Sequence, residues 1–218
     1  MQNTTLSFLK NLAANNNKPW FDENRTKYEA AKADHETLID SLLKQMTSLE
    51  PMLEGQKAKD SIFWIFRDVR FSKDKTPYKA HFGAFFSRGG RKYPGAGYYL
   101  HIEPGGKSFI GGGLWMPENS LLKAVRQEID YNFEEFTGIV ASKQFKKIFR
   151  EVTGEQLKTL PQGYSADNPA INYLKMKSFT VSHPLADADV TGKDFDKKSV
   201  NVFAVLKPFI DFLNRSLD

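Results

Sequence analysis

Hydrophobic spacing changes period partway along this chain, and that change constrains the fold more than any other feature. Up to about residue 48 apolar side chains recur every three or four positions, whereas from about 61 to 114 they alternate. A helical stripe followed by a run of half-buried strands excludes both an all-helical bundle and an all-β sandwich.

Residues 4–14 read as a short helix, interrupted by Asn15-Asn16-Asn17. Pro19 suits the first turn of the next one. There Phe21, Tyr28, Ala31, His35, Leu38 and Leu42 form a stripe that Ile39 and Met46 widen. The spacing predicts one long helix over 19–48, roughly 45 Å at 1.5 Å per residue, closed by Pro51 and Gly55. His35, inside the stripe, is expected to be a hydrogen-bonded core histidine.

Period-two segments at Ile62–Phe71, Ala80–Ser87, Gly97–Glu103 and Lys107–Leu114 predict a meander of four strands. Pro104-Gly105-Gly106 joins the last two as a hairpin. That register sets Tyr99 opposite Gly112 and Tyr98 opposite Gly113, with rings covering bare backbone. Gly111-Gly112-Gly113 is therefore read as structural rather than as a phosphate cradle.

Beyond Met116 the chain turns helical. Pro117 opens a helix with the stripe Leu121, Leu122, Val125, Ile129, and Asn132 with Glu135 resembles a capping box for the next. Short helices at about 142–150 and from Asn168-Pro169 to Lys175 follow. A fifth strand at 177–182 and a helix at 195–216, kinked or restarted at Pro208, complete the order. The expected fold is α+β: a mainly antiparallel sheet of about five strands packed with helices, in a single domain spanning 1–218.

With 40% hydrophobic residues and 18 Phe, the chain can build a proper core. The absence of cysteine excludes disulfides, thiolate catalysis and cysteine-bound metals. No basic leader precedes an apolar run and no apolar run approaches 18 residues, so a cytoplasmic protein with no membrane partner is expected.

Charge is concentrated. Residues 67–92 hold eight Lys/Arg against two Asp, a local +6 in a chain whose total is +5. Within it, Phe66–Lys79 packs five basic side chains, two carboxylates and three aromatics into fourteen residues. Such a segment points to an anionic ligand. Strand parity sets Arg67 on a face with Phe63, Ile65, Val69 and Phe71, so its guanidinium needs an internal carboxylate (Asp74 or Glu103) or a bound anion. Arg70 falls on the opposite face, and Lys73, Lys75 and Lys79 follow in a loop. Arginine forks and mobile lysines suit phosphate or carboxylate; Tyr78 and Phe71 could stack on a ring.

Nucleotide signatures fail. Gly106-Lys107-Ser108 resembles the end of a P-loop, but His101 occupies the position of the first glycine and the turn joins two strands. Gly95-Ala96-Gly97 lacks the third glycine and the helix of a dinucleotide fingerprint. His101 and Glu103 share a strand face beside Tyr99, but two groups do not make a metal site. No metal and no cofactor is expected. Asp68, Asp74, His101 and Glu103 are the candidates for proton transfer, while His81 and His183 carry no signal.

Several stretches carry a resemblance. They are Pro19-Trp20-Phe21-Asp22-Glu23-Asn24-Arg25 with Tyr28-Glu29, then Arg67 to Lys79, Gly112 to Pro117, Arg126 to Ile129, Pro161 to Tyr164, and Asn168 to Ile171 leading into Leu174–Phe179. Together they resemble an uncharacterised bacterial and fungal family, domain of unknown function 2461. The resemblance implies a single domain of about this length and supplies no activity. It adds Arg25, Arg126, Lys175 and Lys177 as basic residues within family motifs that could converge with the Arg67–Lys79 segment.

Three readings stand open. In the first, Arg67, Arg70, Lys73, Lys75 and Lys79, with Tyr78 and with Arg126, Lys175 and Lys177, bind a small phosphorylated or carboxylated ligand. In the second, the basic sheet edge and its aromatics (Phe71, Tyr78, Tyr93, Tyr98, Tyr99) bind nucleic acid. In the third, the charged segment forms internal ion pairs in an interaction or scaffold protein.

Overall fold

A computed structural model describes residues 1–217 and contains ten α-helices and one four-stranded antiparallel sheet. The order is α1 (Asn3–Ala14), α2 (Lys18–Glu23), α3 (Arg25–Met46), α4 (Ala58–Ser61), β1 (Phe82–Phe86), β2 (Gly97–Ile102) and β3 (Ser108–Leu114). Then come α5 (Asn119–Tyr131), α6 (Phe133–Val140), α7 (Lys143–Phe149), α8 (Ile171–Leu174), β4 (Phe179–Leu185), α9 (Asp187–Val190) and α10 (Phe195–Asn214). The strands lie in the order β1-β2-β3-β4. The α+β class is as expected, with four strands in place of about five.

The chain divides into two compact units. The first comprises Met1–Arg91, Tyr99–Ile110 and Pro184–Asn201; the second comprises Lys92–Tyr98, Gly111–His183 and Val202–Asp218. In the first unit every member of the long stripe is buried, from Phe21 through Met46, and His35 stacks on Phe82 of β1 at 4.9 Å. In the second, α10 presents Phe203, Leu206, Phe209 and Phe212 to a core shared with Phe136 of α6 and Phe145 of α7. The helix runs without interruption through Pro208.

Five expectations need correction. The helix predicted over 19–48 is two helices, because Asn24 (φ −104°, ψ 18°) ends α2 and starts α3. Its side-chain amide donates to the Trp20 carbonyl at 2.9 Å, the local competition by which asparagine interrupts a helix. The strand predicted at Ile62–Phe71 is irregular chain bearing two isolated bridges, Ile62 to Ala84 and Phe66 to Tyr78. Asp68 and Asp74 accept from the Arg70 and Thr76 backbone amides, and Pro77 offers no N–H, so no ladder propagates. Inward parity fails with it: Phe71 is 96% exposed.

Tyr99 does not cover Gly112. Its ring lies over Gly83 of β1, while Gly112 faces Tyr98 Cα and Leu206 on the helix-covered side; a one-residue change of register reverses faces. The Asn132 side chain does not cap α6 but donates to Glu128. His35 is buried, yet neither ring nitrogen makes a hydrogen bond. The Gly83 carbonyl acts weakly on the ring without bonding geometry, its hydrogen bond being taken from the Phe63 amide at 2.9 Å.

Gly111 and Gly113 are structural as expected, because a Cβ on either would fall 2.2 Å and 2.0 Å from carbonyl oxygens of Val181 and Phe179 in β4. No helix among the described residues is long and apolar enough to cross a membrane.

Candidate functional site

Strand β2 sorts its side chains by parity. Tyr98, Leu100 and Ile102 are buried on one face, and Tyr99 and His101, followed by Glu103, lie on the other. On that second face His101 accepts or donates at Nδ1 to the Tyr99 hydroxyl (3.2 Å) and at Nε2 to Glu103 Oε2 (3.0 Å). Phe109 of β3 stacks on the His101 ring at 4.8 Å and 14°. Lys107 reaches the other Glu103 oxygen at 3.1 Å, and the Ser108 hydroxyl ties the Glu103 backbone. The His101 and Glu103 side chains are only 12% and 24% exposed, so the network is largely shielded from water.

His81, just before β1, completes the group. Its ring meets that of His101 at 4.3 Å, and its ring nitrogens make no hydrogen bond to the protein among the described residues. Burial pushes its pKa down to about 4, an effect that neighbouring His101, Lys79 and Arg67 reinforce and Glu103 opposes. His81 is therefore a neutral imidazole at pH 7. Burial likewise pushes the Tyr99 hydroxyl up to about 12. Burial alone would raise the Glu103 carboxyl, but His101 and Lys107 outweigh it and hold the group below its usual range. Sequence spacing linked His101 to Glu103 and could not reach His81, which arrives from the bend leading into β1.

The charged segment is divided by its own carboxylates. Arg67 Nη1 pairs with Asp74 and the Thr76 hydroxyl, one of the partners expected for it; its side chain is 26% exposed. Its Nε and Nη2 have no protein acceptor among the described residues. Arg70 grips Asp68 through Nε (2.9 Å) and Nη2 (2.6 Å). Lys75 donates to the Val69 carbonyl at 2.9 Å, and Lys73 is exposed. The Tyr78 ring is 5% exposed and stacks on Phe21 at 4.0 Å, with its backbone held at both ends by the Asn16 amide.

Lys79 is different. It is partly buried, its Nζ lies 5.7 Å from the Phe63 ring, and it has no carboxylate partner among the described residues. Burial and the Arg67 charge both lower its pKa.

Arg126, Lys175 and Lys177 belong to the second unit, whereas Arg67–Lys79 belongs to the first. Arg126 Nη2 donates to the Met176 carbonyl at 3.0 Å while its Nε is buried without a partner. Lys177 pairs with Glu155 at 2.9 Å. Lys175 is partly buried at the end of α8. Arg25, in the first unit, lies over the Phe21 ring.

Compared with known proteins, the chain matches one family model, described as a conserved hypothetical protein (DUF2461), over residues 4–212. No curated protein and no solved structure matches it.

Proposed function

We propose, for a chain that belongs to the conserved hypothetical family DUF2461 and inherits no activity from it, that the first unit binds a small phosphorylated or carboxylated ligand at Lys79. One observation carries this reading: Lys79 is a partly buried ammonium with no carboxylate partner among the described residues, set against the positive charge of Arg67. A desolvated cation facing a like charge is unfavourable until an anion joins it. The unused Nε and Nη2 of Arg67 offer the forked donors that phosphate and carboxylate accept. Neutral His81 adds an acceptor or donor at the same place, so a ligand hydroxyl or an acidic proton could be handled there.

The internal pairs of Arg67 with Asp74 and Arg70 with Asp68 favour a second reading, in which the segment is a self-neutralised scaffold element. Thermal unfolding with added phosphate, pyrophosphate, citrate and sugar phosphates separates the two. Anion binding predicts that at least one raises the wild-type melting temperature. It also predicts that Lys79→Met abolishes the rise while leaving the ligand-free protein as stable or more so. If no anion shifts wild type, or the shift survives in Lys79→Met, the scaffold reading stands instead.

A further inference from the structure

We propose that His81, His101 and Glu103 form a binding site for a divalent transition-metal ion of the zinc class. One ring nitrogen from each histidine and one carboxylate oxygen of Glu103 lie within 4.8 Å of one another. Two imidazoles and a carboxylate are a recurrent three-residue ligand set for zinc and ferrous ions, leaving further coordination to water or substrate. A tetrahedral ion about 2.1 Å from each ligand sets them roughly 3.4 Å apart. His101 Nε2 and Glu103 Oε2, at 3.0 Å, already lie a little inside that spacing. The His81 ring has to swing by at most about 1.4 Å to meet it.

The surroundings are those of a supported site. With Nε2 on the metal, His101 Nδ1 carries the proton and donates to the Tyr99 oxygen, now 3.2 Å away, which fixes tautomer and ring plane. Phe109 holds the ring from its flat side. Lys107 engages Oε1 of Glu103 and leaves Oε2 toward the histidines. The His81 nitrogens are bound to no protein group among the described residues and are free to turn toward a metal.

Positive charge nearby opposes a cation: Lys79, Arg67 and Lys107 all act there, Arg67 offset in part by its pair with Asp74 and Lys107 by its bond to Glu103. The metal site does not depend on the anion reading. Lys79→Met, which removes anion binding, leaves metal affinity unchanged or tighter.

Cobalt(II) alone is the probe, titrated into the chelator-stripped full chain and followed by its visible absorption, with zinc added last as competitor. Wild type is expected to saturate at a single equivalent and to release cobalt to zinc. Glu103→Gln and His81→Ala lose the spectrum, and Tyr99→Phe binds about tenfold more weakly. Circular dichroism establishes that each variant is folded. Glu103→Gln keeps the side-chain shape and carries the test alone if His81→Ala does not fold. A wild-type chain that develops no cobalt spectrum, or a Glu103→Gln chain that binds as tightly as wild type, overturns the proposal.

Discussion

His35 sits fully buried on α3, its ring stacked on Phe82 and both nitrogens without hydrogen bonds. Burial holds its pKa down at about 4, with Asp34 alone among charged neighbours pulling the other way. The unfolded chain takes up the proton near pH 6.5 and the folded chain only near 4, so stability is full above 6.5 and is lost as pH falls through that window. The loss by pH 4 amounts to about 3 kcal/mol. His35→Leu removes this dependence. Urea unfolding at pH 7, 5.5 and 4 should show the wild type losing stability relative to the variant as pH falls, and a constant difference between them would refute the assignment. The stripe's period shows that His35 is inside. It does not show whether partners await the ring, because those come from elements far along the chain.

At the scale of elements, periodicity made the longer helices and all four strands visible, since burial follows it wherever the backbone is regular. It did not show the Asn24 break, where one side-chain amide redirects a helix whose apolar stripe continues unbroken. Nor did it show that 62–71, read as a strand, is part of an irregular stretch running to 79, where short acidic side chains satisfy the backbone locally. That segment is anchored instead by the Asn16 amide on both backbone groups of Tyr78. Asn16→Ala leaves those groups unsatisfied at a cost of about 1–3 kcal/mol. It should accelerate tryptic cleavage between Arg67 and Lys75, read by mass spectrometry; unchanged cleavage sites and rates would count against the anchor. In β3, Gly113 (φ +119°) rests on the Phe179 carbonyl. Gly113→Ala combines strain with overpacking and should destabilise by about 3 kcal/mol in urea unfolding. A loss below about 1 kcal/mol would mean β4 can shift to make room.

Taken as a whole molecule, neither unit is a continuous stretch of sequence: each is assembled from three chain segments. The first needs its distant piece for polar closure. Asp187 accepts from the Gly105 and Gly106 amides at 2.9 Å each, and Asp196 accepts from Ser41 (2.9 Å) and Gln45 (2.6 Å). A chain ending at residue 183 should lose the protease protection of α3 and the 97–114 hairpin that the full chain has. Retained protection would show that these closures are dispensable. Sequence reading could assign the glycine hairpin and could not foresee Asp187, because a carboxylate on a four-residue helix looks like any solvated charge. The same distance hid the candidate site, two of whose three residues, His101 and Glu103, were legible from strand parity. His81 was not, because pairing between strands is a property of the fold.

The Asp187 clamp has a consequence in time. The hairpin tip it holds lies next to Glu103, so the loop carrying that carboxylate is not tied down until a residue some eighty positions later has been made. Closures of that span are the slow ones in folding. During synthesis, then, the hairpin emerges well before the helix that clamps its tip. The turn beside Glu103 gains its outer clamp only once residue 187 has been made.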